Sequence, residues 1–105
     1  MIEETIEESL QLIHRHVGRA VEAVARDAGA SPVLRAVLAE FARKADKARA
    51  GADATDPHLR DLIIEVEQAG DSAKVAATAD AGLSAAAREL VAAAHDAFCL
   101  LKGRL

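Results

Sequence analysis

One stretch constrains this chain more than any other: the unbroken helical pattern from Ile2 to Ala28. Ile6, Leu10, Ile13, Val17, Ala20 or Val21, Val24 and Ala28 follow one another at steps of three and four, which puts them on one face of a helix. A stripe of that length has to be covered by the rest of the chain or by a second copy. What covers it decides the architecture.

Composition says what the cover is made of. Alanine occurs 26 times among 105 residues, there are two Phe, and Trp and Tyr are absent, so the apolar fraction is carried by residues that favour helix over strand. The length suits a single domain, residues 1–105. The net charge of -4 opposes a surface that must neutralise several phosphates, so no nucleic-acid partner is expected. A single cysteine rules out an intramolecular disulfide and suits the reducing cytoplasm. The acidic start, Met-Ile-Glu-Glu-Thr-Ile-Glu-Glu, is unlike a basic signal peptide, and no run is long and apolar enough to cross a bilayer, so no membrane partner is expected either.

Start and stop signals divide the chain into four helices. Glu3, Glu4, Glu7 and Glu8 favour the positive end of helix 1, and Thr5 with Glu8 has capping-box spacing, so the helix starts at Ile2 or Thr5. Gly29 is expected as its left-handed cap. Ser31-Pro32 reads as N-cap and first position of helix 2, whose stripe is Leu34, Val37, Leu38, Phe41, Ala45 and Ala48. A polar loop, Gly51 to Asp56, leads to Asp56-Pro57, which repeats the cap-plus-proline device for helix 3. Its stripe runs Leu59, Leu62, Ile63, Val66, Ala69, Gly70, Ala73, Ala77. The phase holds across Gly70, predicting one continuous helix with the glycine admitting a close neighbour or a bend. Gly82-Leu83-Ser84 then stops it and caps helix 4, which carries Leu83, Ala87, Leu90, Val91, Ala94, Phe98, Leu101 and Leu105 on one face and ends at Gly103.

Four helices at about 2–28, 32–50, 57–81 and 84–102, joined by short turns, predict an all-α, antiparallel up-down-up-down four-helix bundle with an Ala-rich core. Helices 1 and 3 are expected to outrun the other two by roughly five residues, ~8 Å at the helical rise. No repeat at a solenoid period is read from the sequence.

Chemistry-bearing residues are few. No Glu-x-x-His is present, so a di-iron carboxylate site is not expected. His95-x-x-x-Cys99, with His14 in roughly the same layer, forms the one combination from which zinc ligands would be drawn, against the plainer reading of boundary histidines and a packed thiol. Cys99 is expected to face away from the core. Cys99-Leu-Leu-Lys-Gly103 is similar to the His-x-x-Lys-Gly segment of histidine phosphotransfer domains, but Cys99 stands where the phosphoryl acceptor would be, and no phosphotransfer role is drawn from five residues. No cofactor and no catalytic set are assigned.

Apolar residues off the main stripes suggest contacts instead. Ile64 and Val75 share the outer face of helix 3 with Asp61 and Gln68, and Leu12 and Leu100 stand about a third of a turn off their own stripes. The expected function is that of a small cytoplasmic bundle acting through protein–protein interaction or self-association, as a homodimer, using Asp61, Ile64, Gln68, Val75, Leu12 and Leu100. The alternatives are a metal- or small-ligand-binding bundle using His14, His95 and Cys99, and a helical secretion or export chaperone.

Overall fold

Three of the four helices begin where a hydroxyl is placed to start them. In this computed structural model, which describes residues 5–51 and 57–104, Thr5, Ser31 and Ser84 each accept a hydrogen bond from the backbone N–H three residues on. That satisfies one of the orphan donors at each helix start. The helices are α1 (Ile6–Arg26), α2 (Pro32–Ala50), α3 (Leu59–Ala79) and α4 (Ala85–Gly103). The predicted stripes are the buried ones: Leu10, Ile13, Val17, Ala20 and Val24 from α1 meet Leu34, Leu38, Phe41, Ala45 and Ala48 from α2, and α3 and α4 contribute matching sets.

Each helix packs against its neighbours in sequence and α1 packs against α4, the backbones of diagonal helices standing farther apart. Residues joined across every seam run in opposite directions. His14 meets Asp46 and Ala25 meets Arg35 between α1 and α2, while Ser9 meets Arg104 and Asp27 meets Ser84 between the first and last elements. The fold is therefore an all-α four-helix bundle with antiparallel neighbours. α3 is continuous through Gly70, and the glycine admits close neighbours: an added Cβ would lie 3.0 Å from the Phe41 ring and 3.1 Å from the His95 ring. Phe41 itself meets Phe98 edge-on, centroids 5.7 Å apart, so both aromatic side chains sit at one level of the core.

Several expected boundaries move. α1 and α3 are 21 residues long against 19 for α2 and α4, so neither outruns its neighbours by a turn. Gly29 is not a left-handed cap; α1 stops two residues earlier at an extended Asp27, and none of the described glycines has a positive φ. The reason is chemical: Arg35 donates to the carbonyls of Ala25 and Asp27, satisfying the helix end without a left-handed turn. Helix 3 starts at Leu59 with His58 at its N-cap, so Pro57 precedes the helix; α4 runs through Gly103 to an Arg104 cap. The expected Ile2 start, the loop 52–56 with the Asp56 cap, and Leu105 lie outside the described residues.

The two halves of the chain are copies of one hairpin. α3 begins and ends 53 residues after α1, and α4 begins and ends 53 residues after α2. Every core residue from Leu10 to Ala48 has a buried counterpart 53 positions later, from Ile63 to Leu101.

Candidate functional site

The hairpin tips fix how the two halves face each other. Asp27 accepts the N–H of Gly29 within its own turn and that of Ser84 in the other hairpin; Asp80 accepts the N–H of Gly82 and that of Ser31. The exchange is reciprocal, each tip lending the other a carboxylate. Accepting the Ser84 N–H first, and the Gly29 N–H next, holds the Asp27 carboxyl below its usual range, and the Ser31 N–H does the same for Asp80. Arg88 repeats the role of Arg35, donating to the carbonyls of Ala77, Asp80 and Leu83. Gly29 and Gly82 touch: a Cβ on either would meet the other's carbonyl oxygen at 2.0 and 2.4 Å. These glycines are required for close approach, not for an unusual backbone angle.

This repetition makes the two seams between hairpins comparable position by position. The α1–α4 seam holds Leu12 and Leu100 at one level, and both line the same groove with Ser9, His16 and Ala97. Leu12 is 41% and Leu100 75% exposed. Fifty-three residues away, on the α2–α3 seam, the matching positions are Glu65 and Lys47, both exposed. Ala93 and Ala97 on α4 match Glu40 and Lys44 on α2, which are 3.9 Å apart and line the α2–α3 groove with Gln68 and Ser72. At these four positions the two seams differ in character: charged side chains on one stand where leucine and alanine stand on the other. Exposed leucines at isolated sites need no explanation, whereas two facing each other across a groove form a patch.

The other residues singled out from sequence are dispersed. On the outer face of α3, Asp61 and Gln68 are exposed, Ile64 is half-buried and Val75 is 63% exposed. Their counterparts on α1 are Glu8, Arg15, Gln11 and Glu22, so this face too has lost charge relative to its copy. It lies diagonally across the bundle from α1 and is not continuous with Leu12.

The three candidate ligands are not gathered. His14 pairs with Asp46 on the α1–α2 seam, whereas His95 and Cys99 lie together on the α3–α4 seam, Nε2 to Sγ 3.5 Å. Cys99 does not point freely outward as expected but is half-buried beside Glu67, which Lys102 holds at 2.9 Å. Burial, and then the Glu67 carboxylate, push the Cys99 thiol up, which disfavours the thiolate a soft metal needs; the Lys102 ammonium holds Glu67 below its ordinary value. No group of three or more His, Cys, Asp or Glu side chains able to hold a metal ion occurs among the described residues. His95 is instead a buried side chain packed over Gly70, with Asp71 and Asp96 each 3.7 Å from a ring nitrogen. Nor is any described helix long and apolar enough to cross a membrane.

Sequence reading found Leu12 and Leu100 but not the alanines between them or the tip network. The available signal was Asp27-Ala-Gly-Ala-Ser-Pro-Val-Leu-Arg35 against Asp80-Ala-Gly-Leu-Ser-Ala-Ala-Ala-Arg88, five shared residues in nine at a spacing of 53. Comparison with known protein families, curated proteins and solved structures finds no match to this chain.

Proposed function

We propose that this protein works by binding protein through its helical surface, self-association included, and carries out no chemistry of its own. The observation that carries this reading is the α1–α4 face, where Leu12, Ala93, Ala97 and Leu100 stand at positions that are Glu65, Glu40, Lys44 and Lys47 on the twofold-related face. Since the same scaffold tolerates charge there, the apolar choice is not imposed by the fold, and burying it against a partner recovers the hydrophobic free energy it forgoes in water. The outer face of α3, with Val75, is the second surface of this kind.

Sedimentation velocity from low to high micromolar concentration tests the reading. Wild-type protein is expected to sediment as an associated species that Leu100→Glu abolishes while its helical circular dichroism is unchanged. A wild-type chain that stays monomeric and behaves like Leu100→Glu, in sedimentation and in binding to any candidate protein, would overturn it.

A further inference from the structure

The surface has a geometry that selects its occupant. Across the α1–α4 seam, Ser9 meets Arg104 and Asp27 meets Ser84, so residues whose numbers sum to about 112 are level with one another. Leu12 and Leu100 satisfy that rule. Turning a second copy by 180° about an axis parallel to the helices, lying over the seam, lays α1 of one chain over α4 of the other at the same level. Leu12 of each copy then meets Leu100 of the other, and four leucines close on one another. This is what an isologous contact requires, residue i meeting j while j meets i.

Charge agrees with that axis. The outward side of α1 carries Arg15 and Arg19, and the outward side of α4 carries Glu89, all exposed; Arg26 is held by Glu22, and Asp96 turns to Lys74 on α3. By the same level rule Glu89 falls about one helical turn from Arg19. The overlay therefore brings Glu89 of each copy towards Arg19 of the other, whereas an axis perpendicular to the helices would set the arginines of α1 on those of its copy. Ala93 and Ala97 let the helices approach closely between the leucines and the charges. A helix of 21 residues is ~31 Å long and the bundle is 28 by 19 Å across, so one whole face spans roughly 600–870 Å², of the order of the ~800 Å² per partner in a stable complex.

We infer that the α1–α4 face is the contact of a twofold homodimer in which Leu12 of each chain packs on Leu100 of the other. This inference rests on the interaction reading above and commits it to a second copy of this chain.

Disulfide trapping in the full chain tests it. In a Cys99→Ser background, Leu12→Cys and Leu100→Cys proteins are oxidised separately and as an equimolar mixture. Cross-linked dimer is expected in the mixture and in the double variant, not with either single variant alone, and both single variants should keep the wild-type circular dichroism. Cross-linking of either single variant with itself to the level of the mixture would overturn this packing. Absence of cross-linked dimer from the mixture would overturn it as well. In either of those cases, loss of the associated species in Leu100→Glu would leave the interaction reading standing; if wild-type and Leu100→Glu sediment alike as monomers, both fall together.

Discussion

Substituting Gly29 or Gly82 by alanine tests the tip-to-tip contact with a sign that local reasoning gets wrong. Neither glycine has a positive φ, so alanine suffers no backbone strain at either. By its effect on the unfolded chain alone it would stabilise the protein by ~0.4–1 kcal/mol. In the folded protein, though, a Cβ on Gly29 lies 2.0 Å from the carbonyl oxygen of Gly82 and 2.8 Å from its carbon, where no real Cβ approaches within 3.0 Å. Because the obstacle is backbone, the two tips have to part by at least 1 Å. The Asp27–Ser84 bond of 2.9 Å and the Asp80–Ser31 bond of 2.7 Å then stretch beyond hydrogen-bond length together. Overpacking of this kind costs about 1–3 kcal/mol. For a domain of this size that lowers Tm by about 5–20 °C. Gly18→Ala is the control: Gly18 is exposed inside α1 with nothing within 4 Å of an added Cβ, so alanine there should stabilise by ~0.5–1 kcal/mol. Thermal melts followed by circular dichroism read all three. If Gly29→Ala and Gly82→Ala both melt at or above wild type, as Gly18→Ala is expected to, the reciprocal tip contact is wrong.

Three further outcomes follow from the same geometry. Asp27 and Asp80 have lowered pKa values in the folded state, so the stability they contribute is present above their ordinary value of 3.8 and is lost as pH falls through the folded value; Asp27→Asn should flatten the fall of the urea midpoint with acidification, and an unchanged slope would refute the linkage. Gly70→Ala should lower Tm despite the better helix propensity of alanine, by ~1 kcal/mol in stability, because the Phe41 and His95 rings have to yield; a higher Tm would contradict the packing. The Cys99 thiol, pushed up by burial and by Glu67, should be alkylated more slowly near neutral pH than in the urea-unfolded chain, and Glu67→Gln should speed the reaction several-fold; equal rates before and after that substitution would remove Glu67 from the account.

How much was legible in the sequence depended on whether the signal was local. Periodicity placed the core stripes of all four helices, and Ser31 and Ser84 marked their own caps, because both signals act within a turn or two. Gly29 misled because a glycine after a helix ordinarily serves a left-handed backbone, whereas here it serves contact with Gly82, 53 residues away and invisible to any local rule. The helix ends were overrun for a related reason: Arg35 and Arg88 reach back to the terminal carbonyls and end α1 and α3 early. Leu12 and Leu100 were visible as residues off their stripes, yet only the fold brings them to one groove and separates them from Val75. Their significance comes from Glu65 and Lys47 at the matching positions, a comparison that becomes available once the hairpin repeat is seen. Cys99 was misplaced because a helical wheel drawn around α4 alone does not include Glu67 of α3, which Lys102 holds beside the thiol.

The most direct test of the central claim exploits that repeat. Sedimentation equilibrium compares wild type with Leu100→Glu and with Lys47→Glu, which introduce the same side chain at twofold-related positions on the two seams. The account predicts the mass of two chains for wild type and for Lys47→Glu, and the mass of one chain for Leu100→Glu. Equal masses for the two variants, whether both single or both double, would contradict it.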